Sequence, residues 1–336
     1  MSDAIKAALS TLMAGQPCDP SVVRSVMDDI MTGALEPVQV AGFLIAMKIK
    51  GETPAELAAM AAAMQDKAER ILAPENAIDT CGTGGDGSDT FNISTAAALL
   101  AASAGIPVAK HGNRAVTSKT GSADVLEALG YPIDAPVASV QRSLDETGFC
   151  YMHAPLMHPS MKHVMPVRRA LGVPTTFNIL GPLTNPARVR RQLLGVGSKA
   201  NQRHMAQTLA SLGHTLVWVV HSRDGLDELS LSAPTDVIEV RDGRLSAEFV
   251  IDPHTLGLPS AGQPVPTVRN AAESAEIIRA ALTGRDIGAA RDAVVLNAAA
   301  GAVVSGRVSD IKSGIALMLD AISGETASGL LAKIAR

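Results

Sequence analysis

A glycine-rich segment that begins at residue 82 has the residue types and spacing of a phosphate-binding loop. Four of the six residues in 82–87 are glycine, and the apolar residues before them predict a strand over 77–80. Because glycine reaches backbone conformations that other residues avoid, such a loop can turn several main-chain N–H groups toward one anion. Ser94 and Thr95 are good N-caps for a predicted helix over 95–104, whose positive end would favour negative charge beside the loop.

Three kinds of phosphate loop have to be distinguished. The P-loop pattern GxxxxGK[ST] is absent, because no Lys follows the loop. The dinucleotide fingerprint GxGxxG is matched by Gly82, Gly84 and Gly87. However, seven residues separate the last of these glycines from the predicted helix, and no Asp or Glu occurs between Thr90 and Ala123 to bind a ribose hydroxyl.

The third kind is a site for a sugar that carries several phosphates, formed by two strand-to-helix loops. The next predicted strand, 106–109, is followed by basic and polar side chains, namely Lys110, His111, Asn113 and Arg114. A nucleotide-binding fold is acidic at this place. The basic end of the strand therefore favours the phosphorylated sugar.

Two adjacent acids have the chemistry of a metal site. Asp227 and Glu228 follow a predicted strand over 215–221, and open α/β sheets bind their ligands where strands end. Neighbouring carboxylates repel each other unless a cation or a donor lies between them. Since Mg²⁺ is commonly held by one or two carboxylates together with substrate phosphates, the pair suits an ion shared by protein and diphosphate. A solvated acidic turn is the alternative interpretation.

Two adjacent arginines suit recognition of a carboxylate. Arg168 and Arg169 lie in a segment, 158–171, with helical character. On a helix they face about 100° apart, so one can point into a cleft while the other is solvated. A guanidinium fits a planar carboxylate through two parallel hydrogen bonds.

Four motifs in order give the chain its resemblance to a known family. They are GTGGD at 82–86, NIST at 92–95, KHGNR at 110–114 and GSAD at 121–124. Together they resemble the anthranilate phosphoribosyltransferases of tryptophan biosynthesis, and the resemblance extends over nearly the whole chain. It implies transfer of a phosphoribosyl group from 5-phosphoribosyl diphosphate to the amine of anthranilate, with Mg²⁺ as cofactor. It also implies a homodimer formed through the helical domain.

The resemblance also implies which residues form the site. The donor would be bound by Gly82, Gly85, Asp86, Thr90, Asn92, Ile93, Ser94, Thr95, Lys110, His111, Gly112, Asn113, Arg114, Ala115, Val116, Thr117, Ser118 and Ser122. Anthranilate would contact Gly82, Asn113 and Arg168, and Mg²⁺ would be held by Ser94, Asp227 and Glu228. No general acid or base is assigned, because an aryl amine is unprotonated at neutral pH. His158 and His163 are expected to be packing or rim residues.

The chain departs from the usual family pattern at several positions. Ser160 replaces Ala, Pro174 replaces a common Arg, Thr117 replaces the first of two serines, and YMH at 151–153 replaces Phe-Leu-Phe. These departures bear on the rim of the acceptor pocket and on acceptor strictness. The phosphate motifs are intact.

The order of predicted elements gives the fold class. Residues 1–74 contain helices only, whereas strands and helices alternate over 75–336. This predicts an α/β protein in which a small N-terminal helical domain precedes a large domain with a mostly parallel central sheet covered by helices. A hairpin at Asp242-Gly243 adds antiparallel strands. The segment 158–190 is expected to pack with the helical domain, and three helices, the last over 309–322, are expected to close the chain.

The composition indicates which kinds of binding partner and which cellular location to expect. The 336 residues are 47% hydrophobic and only 2% aromatic, with a net charge of −4, which argues against a nucleic-acid-binding surface. Three distant cysteines without metal spacing indicate reduced thiols and a cytoplasmic location. We expect neither a signal peptide nor a membrane span, because the apolar run 38–47 is too short. Two alternative functions are a pyrimidine nucleoside phosphorylase and a transferase-like nucleic-acid binder.

Overall fold

The computed structural model, which describes residues 3–115 and 119–335, begins with four helices. They are α1 (Asp3–Met13), α2 (Pro20–Thr32), α3 (Pro37–Lys50) and α4 (Pro54–Asp66). The boundaries follow from local chemistry. The Asp19 carboxylate accepts a hydrogen bond from the Ser21 N–H to begin α2, and Gly33 ends it at φ 75°. Thr53 and Glu56 form a capping box at the start of α4.

Seven strands form one central sheet. They are β1 (Ile78–Gly82), β2 (Val108–Gly112), β3 (Phe149–His153), β4 (Arg191–Gly195), β5 (Leu216–Ser222), β6 (Thr235–Arg241) and β7 (Arg244–Ile251). The strand order is β3-β2-β1-β4-β5-β6-β7. Strands β1 to β5 pair in parallel, and β6 and β7 add an antiparallel hairpin through Asp242 and Gly243. The predicted fold class is confirmed.

The helices after β1 are α5 (Ile93–Ser103), α6 (Ser122–Leu129), α7 (Val137–Thr147), α8 (Ala154–Met157), α9 (Met165–Leu171), α10 (Phe177–Leu180), α11 (Lys199–Ser211), α12 (Ala271–Leu282), α13 (Ala289–Ser305), α14 (Ile311–Ser323) and α15 (Thr326–Ile334). Five of them, namely α5, α7, α8, α11 and α13, pack against strands of this sheet. Short 3₁₀ helices span Pro159–His163, Gly181–Leu183 and Pro253–Thr255. The prediction of three closing helices was wrong, because α15 follows α14 after a short turn at Glu325, whose φ is 61°.

The strand order locates the functional end of the sheet. The chain moves outward from β1 to β2 and β3, and then returns to the other side of β1 with β4. Open α/β sheets bind ligands at such a switch point, beyond the carboxyl ends of the strands. Helices α5 and α13 pack against each other in an aliphatic core, so most residues of both helices are buried. The loop after β1 and the start of α5 are therefore built on a rigid support.

The helical N-terminal part and a later segment share one apolar cluster. Val164, Val167 and Phe177 pack in the same cluster as the buried faces of α1 to α4. The cluster continues into the sheet through Leu194 and Val217. The domain boundary near residue 74 stays a prediction.

No single helix in the described ranges is long and apolar enough to cross a membrane. The pair α14 and α15 passes such a test by length and composition when taken together, with a bend of 66° between the two helices. Met318 and Leu330 of this pair are buried in the aliphatic core.

Candidate active site

The glycine loop and the acidic pair meet at the switch point. Gly84, Gly85 and Gly87 have φ angles of 69°, 82° and 69°, the left-handed region that glycine reaches without strain. Gly84 N–H donates to Asp227 Oδ2 at 2.8 Å, although the two residues are far apart in the chain. The structure therefore brings the predicted phosphate loop and the predicted metal-binding acids into direct contact.

Glycine at two strand ends permits this contact. A Cβ added at Gly82, the last residue of β1, would overlap the Asp227 carboxylate. A Cβ added at Gly195, the last residue of β4, would overlap the Asp227 backbone carbonyl. Gly195 was not predicted as a site residue, and the sequence marks it only as a glycine that follows a short apolar run.

Electrostatics distinguish the two adjacent acids from an ordinary solvated turn. Asp227 is buried, and Glu228 keeps part of its surface exposed. Desolvation, followed by the charge of Asp86, raises the pKa of Asp227 to about 6. Desolvation and the charge of Asp227 raise the pKa of Glu228 to about 8, against the opposing effects of Lys110 and the Ser94 N–H. Without a cation, Glu228 therefore keeps its proton near neutral pH, and the pair carries less than its full charge.

The donor set fits a hard divalent ion that is shared with a ligand. Carboxylate oxygens are what Mg²⁺ binds, and a cation would relieve the repulsion that raises both pKa values. Ser94 lies beside the pair, since its N–H donates to Glu228 Oε1 at 3.1 Å. No group of three or more His, Cys, Asp or Glu side chains within the described ranges is placed to hold a metal. Further ligands would have to come from a bound substrate or water.

Helix α5 begins earlier than the sequence predicted. Asn92, not Ser94 or Thr95, is its N-cap residue. The Asn92 Oδ1 atom accepts hydrogen bonds from the hydroxyls of Thr120, at 3.0 Å, and Ser274, at 2.8 Å. Ser94 therefore lies in the first turn, where its N–H is free of intrahelical bonding and reaches Glu228. The buried Thr95 hydroxyl has no hydrogen-bond partner in the described part of the chain.

Lys110 and His111 lie within β2 rather than beyond its end, because the strand extends to Gly112. Lys110 is buried, donates to the Thr80 carbonyl, and has its Nζ atom 3.5 Å from Ser94 Oγ. Its charge lowers the pKa of Glu228, in opposition to the larger effect of desolvation. Lys110 thus supplies a buried positive charge beside the acidic pair.

The second predicted loop packs against the start of α6. The Asn113 carbonyl accepts from Ser122 Oγ at 3.3 Å, and Arg114 forms ion pairs with Asp124 at 3.0 Å and Glu127 at 2.9 Å. The other predicted donor residues in the described ranges lie in the same two loops or at the element ends beside them, and they are Gly85, Asp86, Thr90, Ile93, Gly112 and Ala115. Val116, Thr117 and Ser118 lie outside the described residues.

Arg168 lies apart from the glycine loop. It is half-buried on α9, its Nη2 atom donates to Asn178 Oδ1 at 3.3 Å, and its guanidinium carbon is 5.7 Å from the centre of the Phe177 ring. Burial lowers the pKa of Arg168. In the described part of the chain it has no acidic partner and no hydrogen bond to Gly82 or Asn113. A desolvated guanidinium without a counterion suits an anionic ligand.

Two histidines form a buried pair that sequence analysis did not recognise. The rings of His111 and His158 have centroids 5.1 Å apart, and His111 Nδ1 is 3.2 Å from the Gly181 carbonyl. Burial lowers the pKa of His111 to about 3 and that of His158 to about 4, so both rings are neutral at pH 7. Both Nε2 atoms are buried without a partner among the described residues. The long sequence separation hid this pair.

Comparisons with known proteins agree with this geometry. The model for the helical bundle domain of a glycosyl transferase family matches residues 6–68, and the model for its a/b domain matches residues 74–328. An anthranilate phosphoribosyltransferase from Chloroflexus aurantiacus is 46% identical over 313 residues, which cover 93% of this chain and 92% of that protein.

Two solved structures are also similar. The anthranilate phosphoribosyltransferase of Thermus thermophilus is 40% identical with a TM-score of 0.90, and the match covers 99% of this chain and 98% of that one. The enzyme from Saccharomyces cerevisiae, solved in complex with PRPP and Mg, is 26% identical with a TM-score of 0.87 and coverages of 99% and 97%. The identity and coverage establish that the chain belongs to the anthranilate phosphoribosyltransferase family.

Proposed function

We propose that the chain transfers the 5-phosphoribosyl group of 5-phosphoribosyl diphosphate to the amine of anthranilate, in tryptophan biosynthesis. The observation that carries this proposal is the meeting of the glycine loop, the first turn of α5 and the acidic pair at the switch point of the sheet. Backbone N–H groups and acids that favour a cation suit a donor with several phosphates. The yeast relative with PRPP and Mg supports the same ligands here. Neither alternative function is favoured.

We infer that Asp227 and Glu228, with Ser94 beside them, hold Mg²⁺ together with the diphosphate. The ion would supply positive charge to the departing diphosphate when bound. The chain would contribute N–H groups of the glycine loop, the positive end of α5 and the buried Lys110. These groups offset the negative charge that grows on the leaving group.

Arg168 and two residues of the donor-binding loops would position the acceptor. The Arg168 guanidinium would bind the anthranilate carboxylate, and Asn113 and Gly82 would lie near the amine. The C1–oxygen bond breaks and its electron pair leaves with the diphosphate. The nitrogen lone pair forms the new C1–nitrogen bond, and the nitrogen then loses one proton. Orientation of a reactive amine at C1 is the main contribution of these residues.

We also infer a homodimer formed through α1 and α3. Met13, Val38 and Ile49 are exposed to 81%, 76% and 82%, and all three line one shallow groove. Large apolar side chains clustered in this way mark interaction surfaces. A cytoplasmic location is a further proposal, supported by three unpaired cysteines.

Product formation from anthranilate and the diphosphate donor, with and without Mg²⁺, tests the proposal. Asp227→Asn with Glu228→Gln should remove Mg²⁺-dependent turnover. The matched control is Asp145→Asn with Glu146→Gln, which makes the same charge change at an exposed adjacent pair on α7. Wild-type rates in the first double variant would contradict the metal role. Turnover of thymidine with phosphate alone would support the phosphorylase instead.

A further inference from the structure

Asn297 is a polar residue in the apolar middle of α13. All the other residues of this helix from 293 to 302 are Ala, Val, Leu or Gly, and Asn297 is fully buried. Asn is a weaker helix former than Ala or Leu, and a buried amide is costly unless it is fully hydrogen-bonded. A residue of this kind in the middle of a core helix calls for a specific partner.

That partner is the backbone of Leu229, the residue that follows Glu228. Asn297 Oδ1 accepts from the Leu229 N–H at 2.9 Å, and Asn297 Nδ2 donates to the Leu229 carbonyl at 2.9 Å. The second Nδ2 hydrogen is donated to the Ala293 carbonyl at 2.9 Å. Leu229 lies between β5 and β6 and belongs to neither strand, so its buried backbone groups have no sheet partner there. One side chain therefore satisfies both backbone groups of Leu229.

The loop between β5 and β6, which carries Asp227 and Glu228, is also held by a hydrogen bond within itself. The Asp224 carboxylate accepts from the Ser230 hydroxyl at 2.6 Å, which closes the loop on itself. Asn297 instead ties the loop to α13, and α13 also packs against α5, whose Ser94 N–H contacts Glu228. Helix α13 thus supports both the acidic pair and the N-terminal end of α5, which faces that pair.

We propose that Asn297 is a positioning residue for the cation and diphosphate site. The inference rests on the proposed function and deepens it. Two carboxylates that repel each other need an external restraint to stay in place before a cation arrives. The pair of hydrogen bonds from Asn297 to Leu229 supplies that restraint one residue beyond Glu228. Its loss would leave two buried backbone groups unpaired, so the loop would shift to find other partners.

The test measures the Mg²⁺ concentration that gives half-maximal turnover in Asn297→Ala and Asn297→Leu, together with the Mg²⁺ affinity of each variant by calorimetry in the presence of the diphosphate donor. The leucine variant keeps the branched four-atom skeleton of the side chain without its hydrogen-bonding groups, and it is the second variant if the alanine variant is too unstable. We expect this concentration to rise at least tenfold, a change of about 1.4 kcal/mol. We expect KM for anthranilate to change less than threefold, because the acceptor groups lie on other elements.

A merely structural role would give a different pattern. Val304→Ala is the matched control, since Val304 is buried on the same helix two turns away and its truncation lowers stability without reaching Leu229. An unfolding temperature lowered in all three variants, with an unchanged Mg²⁺ requirement in the folded enzyme, overturns the proposal. If wild-type turnover itself needs no Mg²⁺, the proposed function fails, and that outcome is separate from a failure of the Asn297 proposal.

Discussion

Replacement of Arg168 by alanine tests how the acceptor is recognised. The guanidinium is half-buried, its pKa is lowered by burial, and no acid pairs with it in the described part of the chain. A hydrogen bond to a charged group contributes about 1.5–3 kcal/mol. The value of kcat/KM for anthranilate should therefore fall roughly 10- to 150-fold, with little change in KM for the diphosphate donor. Because Arg168 keeps partial contact with solvent, the lower half of that range is expected.

The assay compares anthranilate with aniline, which has the same reacting amine but no carboxylate. Loss of a contact to the carboxylate should weaken use of anthranilate and leave use of aniline nearly unchanged. Arg169→Ala is the control, since Arg169 is the adjacent exposed arginine on α9. Equal losses with both acceptors, or an unchanged kcat/KM for anthranilate, would refute a carboxylate-binding role for Arg168.

Two further predictions concern the metal and the assembly. Affinity for Mg²⁺, measured by calorimetry with the diphosphate donor, should rise as pH increases from about 6 to about 8, because Asp227 and Glu228 release protons over that interval. Since both folded pKa values exceed the ordinary ones, the free energy of unfolding without Mg²⁺ should fall as pH rises from about 4 to about 8; a flat profile in both measurements would oppose this electrostatic account. Val38→Glu on the exposed face of α3 should convert a dimer into monomers in sedimentation experiments, whereas Val250→Glu on β7 should not.

Elements with strong local boundaries were predicted correctly from the sequence. The helices over 122–129 and 137–147 have local boundaries of this kind. Gly130 and Gly148 end them with φ angles of 97° and 73°, which is a signal that sequence carries directly. The glycine loop and the acidic pair were also predicted from the sequence, because the residues that form each of them are neighbours in the chain.

The start of α5 was predicted incorrectly because local and long-range chemistry disagree. Ser94 and Thr95 are plausible caps by residue type. The Asn92 amide instead bonds Thr120 and Ser274, and the helix begins after it. The distant partner on α12 could not be predicted from spacing alone.

Partners supplied by distant elements explain what else the sequence concealed. Gly195 matters because the backbone of Asp227 crosses it, and Asn297 matters because Leu229 has no partner in its own loop. Neither fact follows from periodicity or from a motif. Each depends on how β4 and α13 pack against the loop that carries Asp227 and Leu229.

The electrostatics of the acidic pair reconcile a negatively charged protein with a highly anionic donor. Without a cation, both acids have raised pKa values, and near pH 7 Glu228 keeps its proton, so the pair carries less than its full charge. A bound cation would displace those protons, and its charge would then attract the diphosphate. The cation and the donor should therefore strengthen each other's binding, since linkage makes such coupling reciprocal. Without a cation, Asp227 and Glu228 would repel the donor. In the proposed function they bind the cation, and the cation binds the donor.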